Sequence, residues 1–193
     1  MRKLVVLTAL ALVALFALVG SSAVASHRGV GGVKAGLNGY QEVPAVSTTG
    51  SGRFRASVDG DSIDFTLTYG NLEGTAAAAH IHFGQRSVNG GVIAFLCGGG
   101  TKGACPASGT VTGTIVATDI TPDGTAQAQG IAQGEFAEVL RALRAGALYV
   151  NVHTSKFGSG EIRGQIDHGF KWFRANHKDK GDHDNGRGKD DDD

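Results

Sequence analysis

The sequence predicts an all-β fold, an antiparallel sandwich or barrel, with one short amphipathic helix at about 135–145. Three observations carry this. Apolar and polar residues alternate with a period of two through Arg53–Val58, Ile63–Tyr69 and Leu148–Val152, the signature of half-buried strands. Glycine is abundant (31 residues) and proline scarce (3), which suits short strands joined by tight turns. Only Glu135–Ala145 changes to a helical period, with Phe136, Val139, Leu140 and Leu143 at i, i+3, i+4 and i+7.

The first 25 residues read as a signal peptide rather than as part of the fold. Arg2 and Lys3 precede the apolar run Leu4–Val19, and Ala23-Val24-Ala25 supplies a small-residue cleavage pattern, so Ser26 is the expected mature N-terminus. An uncleaved anchor is the alternative, but the run is shorter than the roughly 20 residues that a spanning helix needs. No later stretch is apolar enough to span a bilayer, and no cysteine sits at the cleavage site to take a lipid. Removing the leader takes away two of the 18 basic residues and leaves 16 against 18 acidic ones, a net charge of −2. Such a balance argues against a nucleic-acid partner, which calls for a basic stripe. The expected organisation is a flexible Gly-rich leader at 26–34, one β domain at 35–170 and a polar, disordered tail at 171–193.

In chain order, Ala35–Tyr40 is the first expected strand, and Pro44 marks an edge or a turn because it cannot donate to a ladder. Arg53–Val58 and Ile63–Tyr69 form a hairpin around Gly60-Asp61, with Phe54, Ala56, Val58, Ile63, Phe65, Leu67 and Tyr69 turned inward. In Ala79–Phe83 the residues Ala79, Ile81 and Phe83 share one face, and His80 and His82 share the other. After the turn Asn89-Gly90-Gly91, Gly91–Cys97 is apolar on both faces and predicts a central, doubly covered strand. Ser108–Ile120 predicts a long strand, ended by the turn Thr121-Pro122-Asp123-Gly124. The 135–145 helix carries Glu135 in its first turn, Arg141 and Arg144 near its end and Gly146 as its stop. Its apolar stripe is expected to pack on the sheet. Phe170, Trp172 and Phe173 are expected to fold back on the domain. Asp182-His183-Asp184-Asn185-Gly186 has calcium-loop composition, but its ligand spacing is wrong.

Leu148–Ile166 is a second expected hairpin, and its register follows from a loop at Ser155–Ser159. His153 then sits across from Glu161, Asn151 from Arg163 and Tyr149 from Gln165. Cross-strand neighbours lie roughly 5 Å apart, so Tyr149, Asn151, His153, Glu161, Arg163 and Gln165 are expected to form a polar ladder.

The two cysteines, Cys97 and Cys105, default to a disulfide in an exported protein. The bridge would staple the loop GGGTKGA and add roughly 2–3 kcal/mol on a chain-entropy argument. A two-thiol metal site is the other use of such a pair, but no histidine lies nearby in sequence to complete it.

Four segments together resemble a known module. Leu37–Pro44 (LNGYQEVP), Ala79–Gly84 (AHIHFG), Tyr149–Thr154 (YVNVHT) and Gly160–Gln165 (GEIRGQ) occur in the order and at the spacing of CHRD domains, the module named after chordin. The resemblance covers roughly Val33–Asp167. It implies an extracellular all-β domain, sandwich- or barrel-like, and no reaction; the expected architecture is immunoglobulin-like or superoxide-dismutase-like. The cysteine-rich repeats that accompany the module in chordin are missing here, so growth-factor binding does not carry over. The expected partner is an extracellular protein or matrix component, bound without catalysis.

The chemistry worth weighing centres on His80, His82 and His153. Three histidines on neighbouring strands are suited to zinc or copper, with Glu161 as a further ligand or an orienting group, provided the imidazole nitrogens approach within about 3–4 Å of each other. The competing expectation is a satisfied polar network with no metal. His-X-His in an exported β-sandwich with a short disulfide is also similar to copper-zinc superoxide dismutase, but the remaining histidines (His27, His168, His177, His183) lie outside the matched domain. Nucleophilic catalysis has no support, because the chain lacks a Gly-X-Ser-X-Gly elbow. Glu161 is the one core carboxylate with a distinctive setting, which falls short of a glycosidase pair. No catalytic residue is therefore assigned.

Overall fold

The computed structural model describes residues 30–168. The signal-peptide, calcium-loop and 170–173 expectations fall outside them, as does the tail. The fold is a single, mostly antiparallel sheet of nine strands, nearly closed into a barrel. The strands are β1 (Val30–Asn38), β2 (Ser51–Asp59), β3 (Ser62–Gly70), β4 (Ala76–Phe83), β5 (Gly91–Cys97), β6 (Gly109–Ile115), β7 (Leu148–Thr154), β8 (Ile162–Gln165) and β9 (Asp167–His168). Their order in the sheet is β5-β4-β7-β8-β1-β2-β3-β6, with β9 paired to β1.

The two-residue alternation does what burial requires of it. In β2 and β3, Phe54, Ala56, Val58, Ile63, Phe65, Leu67 and Tyr69 are all buried while their neighbours in sequence face outward. The same core takes in Ala79 and Ile81 from β4, Val150 and Val152 from β7, and Ile162 from β8. Helix α2 (Phe136–Arg144) adds Phe136, Val139, Ala142 and Leu143, so its apolar stripe packs inward as expected. Gly146 ends that stretch with φ +67°, a conformation that favours glycine.

Five expectations need correction. Residues 30–34, expected as flexible leader, belong to β1, because pairing with β2 supplies their backbone partners. Tyr40 lies beyond β1, in a 3-10 turn (Gly39–Gln41) that Asn38 caps by accepting from the Gln41 N–H at 3.2 Å. The long strand expected to Ile120 stops at Ile115, and Asp119 caps a second 3-10 turn (Ala117–Asp119) from the Val116 N–H. Asp123 caps a short helix, α1 (Gly124–Ala128), where only a turn is legible. Finally, β5 ends the strand order instead of lying at its centre. It is apolar on both sides because segment 121–123 and α1 cover its free edge: Thr121 N–H donates to Ile93 O and Asp123 N–H to Val92 O.

Cys97 and Cys105 form a disulfide, with their Cα atoms 5.0 Å apart. The stapled loop docks on Asp119, which accepts from Thr101 at 2.7 Å and from Lys102 at 3.0 Å.

Candidate metal centre

β4 and β7 are neighbours, and their antiparallel register sets His80 opposite Asn151, His82 opposite Tyr149 and Ala78 opposite His153. Because the aliphatic faces of both strands are committed to the core, every one of these polar side chains emerges on the other face. That face is covered all the same. His80, His82, Tyr149, Asn151, Arg163 and Gln165 are buried, under the 84–90 loop and the 39–44 segment. The molecule thus has a second, polar core on the outer side of β4, β7 and β8.

The three histidines converge there. Ring centroids are 4.8 Å apart for His80 and His153, 5.4 Å for His80 and His82, and 5.9 Å for His82 and His153. One ring nitrogen from each can be chosen so that all three lie within 4.8 Å of one another. Two ligands of one ion, each roughly 2 Å from it, are at most about 4 Å apart, so the widest spacing here exceeds the roughly 3–4 Å that a coordination sphere requires.

Hydrogen bonding fixes the orientation and tautomer of two rings. His82 Nδ1 meets Gly90 O at 3.0 Å, and His153 Nδ1 meets Gly158 O at 2.9 Å. A carbonyl can only accept, so each Nδ1 carries the proton and each Nε2 keeps a free lone pair. Both Nε2 atoms are buried without a partner, and neither nitrogen of His80 has one. Phe95 presses its ring edge-on to His80 at 4.5 Å. Burial favours the neutral imidazoles, pushing His80 down to about 3 and His82 down to about 4, and it lowers His153 as well.

The rest of the ladder is aligned as the hairpin spacing requires, Tyr149 opposite Gln165 and Asn151 opposite Arg163. Tyr149 stacks flat on His82 at 4.7 Å, and the Arg163 guanidinium lies 3.5 Å over the other face of the Tyr149 ring. Arg163 donates to Gln85 O and Val88 O, tying the 84–90 loop down over the site. Gln165 donates to Gly84 O and Gly146 O.

Glu161 is the exception. Its carboxylate accepts from Thr48 Oγ1, Thr154 Oγ1 and the N–H groups of Glu73 and Gly74. Thr154 alternates with His153 along β7, so Glu161 serves the opposite side of the strand and lies outside the group formed by His80, His82 and His153. β8 begins only at Ile162, and Gly160, at φ +127°, breaks the alternation just before it. Burial opposes the charge on Glu161, but these hydrogen bonds outweigh it and lower its pKa.

The acid that does sit with the ladder is Glu42, which sequence reasoning missed. It is buried, next to Asn151 and within the field of Arg163. A Cβ on Gly160 would lie 2.7 Å from Asn151 Nδ2 and closer still to Glu42 Oε1, so glycine is required for the two to meet. Burial pushes the Glu42 carboxyl up to about 7, against the pull of Arg163 and Asn151. One signal was available: Glu42 lies in Leu37–Pro44, the first of the four segments behind the resemblance.

The model of the CHRD domain matches residues 33–166. The chain belongs to the CHRD family. The match takes in all of the histidine site, Glu42 and the disulfide, so the polar core lies wholly within the CHRD domain. No curated protein and no solved structure matches the chain.

Proposed function

We propose that this protein is an exported CHRD module that binds one transition-metal ion, zinc or copper, through His80, His82 and His153. The observation that carries the reading is the set of unpartnered ring nitrogens. A buried polar atom without a hydrogen bond costs about 1–3 kcal/mol; four ring nitrogens here lack one, and one nitrogen from each of the three histidines lies within 4.8 Å of the others. A metal would satisfy one nitrogen from each ring. The competing reading, a metal-free partner-binding module with the histidines as a structural network, asks those atoms to satisfy one another. His80 has no hydrogen-bond partner on either nitrogen, so that network is incomplete where it should be tightest.

The donor set narrows the ion. Three neutral imidazoles without thiolate or carboxylate suit zinc and copper better than calcium or magnesium, which take oxygen. The carbonyls of Gly90 and Gly158 would act as the groups that fix the tautomer of metal-bound histidine. Export is supported by the Leu4–Val19 run with its basic start and by the disulfide. Among the described residues no helix is long and apolar enough to cross a membrane.

The deciding experiment is elemental analysis of the secreted chain purified without a histidine tag, and again after equilibration with zinc or copper and dialysis. One ion per chain is expected, lost in His82→Ala and in His153→Ala with the fold retained by circular dichroism. A wild-type chain that keeps no stoichiometric metal overturns the proposal.

A further inference from the structure

The polar core contains a fourth donor arranged like the other three. β4 presents His80 and His82 two residues apart, and β7 presents Asn151 and His153 two residues apart on the facing row. The four side chains therefore share one face of the sheet, with Asn151 directly opposite His80 and with His82 and His153 diagonal to that pair. Asn151 is 2 % exposed, and its Oδ1 has no hydrogen-bond partner. The amide nitrogen and the Glu42 carboxyl both lie against Gly160, where a Cβ would meet the two of them.

We propose that Asn151 Oδ1 is the fourth donor to the ion, and that Glu42 is the positioning residue that aims it. This rests on the three-histidine reading above and adds a consequence. A sphere of three imidazoles and one amide oxygen is full, so the ion has no position open to water or to a small exogenous ligand. Closed four-coordinate sites are structural, whereas catalytic zinc sites keep a position open. Gly160 is part of the device, since any side chain there would push Glu42 and Asn151 apart.

Cobalt(II) is the probe, since its visible absorption reports coordination number and ligand exchange. The folded chain is loaded with cobalt and titrated with azide. The wild-type spectrum should be that of a four-coordinate ion and should not change with azide. Asn151→Ala should bind cobalt more weakly and respond to azide, because water replaces the amide oxygen. Asn151→Asp should restore the azide-insensitive spectrum. Glu42→Leu should weaken cobalt binding by about 10–100-fold, the usual effect of losing a group that orients a ligand, while Glu42→Gln, which keeps an acceptor oxygen, should lose less. A wild-type cobalt spectrum that shifts with azide overturns the fourth donor, even if no Asn151 variant folds. Cobalt affinity unchanged in Glu42→Leu overturns the role of Glu42. Failure of the wild-type chain to take up any cobalt sinks the three-histidine reading itself, a different result from either.

Discussion

Arg163 lies with its guanidinium carbon 3.5 Å over the ring of Tyr149, and the opposite face of that ring lies flat on His82. Arg163 is 1 % exposed, and it binds the 84–90 loop through two backbone carbonyls. One side chain thus links the loop that roofs the polar core to the histidine that the core is built around. Arg163→Ala removes the stack and strands both carbonyls, and should cost about 3 kcal/mol. Arg163→Lys keeps the charge but loses the planar fork, and should recover less than half of that. Urea unfolding curves of the three proteins test the ranking; an Arg163→Lys protein as stable as wild type would refute the role given to the fork.

Glu161 is 0 % exposed and accepts four hydrogen bonds, two of them from backbone N–H groups in the 73–74 segment. Glu161→Gln replaces one acceptor oxygen with a donor that faces donors. The expected loss is about 2–4 kcal/mol, with no change in metal content, because the carboxylate lies on the far side of β7 from the histidines. Loss of metal from a folded Glu161→Gln protein would contradict that placement.

The pH dependence of the metal-free protein follows from the buried histidines. His80 and His82 sit at about 3 and about 4 in the folded chain, against 6.5 when unfolded. The unfolded chain therefore binds more protons as the pH falls below 6.5, and stability drops with it, by up to about 1.4 kcal/mol per pH unit for each imidazole. Glu42 acts in the opposite sense. Its folded pKa of about 7 lies above its ordinary 4.5, so its contribution is complete below pH 4.5 and is lost as the pH rises through 7. The imidazoles outnumber it. Thermal melting should shift downward between pH 6.5 and 5, more steeply in Glu42→Gln, and a midpoint that stays level over that window argues against buried neutral histidines.

The same low values make protons weak competitors for the ring nitrogens. Bound zinc or copper should survive dialysis at pH 5, where an exposed histidine cluster titrating near 6.5 would release it. Metal content after dialysis at pH 7 and at pH 5 provides the measurement, and release at pH 5 would place the cluster in water.

Reducing the Cys97–Cys105 bridge opens a short Gly-rich loop, and the chain-entropy argument assigns it roughly 2–3 kcal/mol. The double variant Cys97→Ala/Cys105→Ala should lower stability by about that amount and leave the histidine site intact, since the stapled loop docks on Asp119 and not on the histidines. Equal stability with and without reductant would show that the bridge contributes nothing.

Much of this was legible from the residues. The alternation in β2, β3 and β7 specified which side chains turn inward, because a strand has two faces and water tolerates only one arrangement of them. The register of Tyr149 with Gln165 followed from loop length, and the stripe of α2 from its period. Other features were hidden for identifiable reasons. Glu42 lies next to Val43-Pro44, where the local pattern says only that the chain turns, and its partner Asn151 is more than a hundred residues away. Glu161 obeys the alternation on paper, but Gly160, at φ +127°, breaks it immediately beforehand. The apolar character of β5 signals double cover, and only the packing of α1 and segment 121–123 shows that the cover lies on an edge.

What the chain determined unaided was local: which segments are strands, which faces they bury, and that His80, His82 and His153 emerge on polar faces. Tertiary structure decided that β4 and β7 are neighbours, that loops roof their outer face, and that Glu42 takes the place at the ladder that Glu161 leaves. The physical reason is reach. Alternation and helical period arise from the geometry of adjacent residues and can be read from a short window, whereas strand order and burial of a polar face depend on contacts between distant segments, which no window contains.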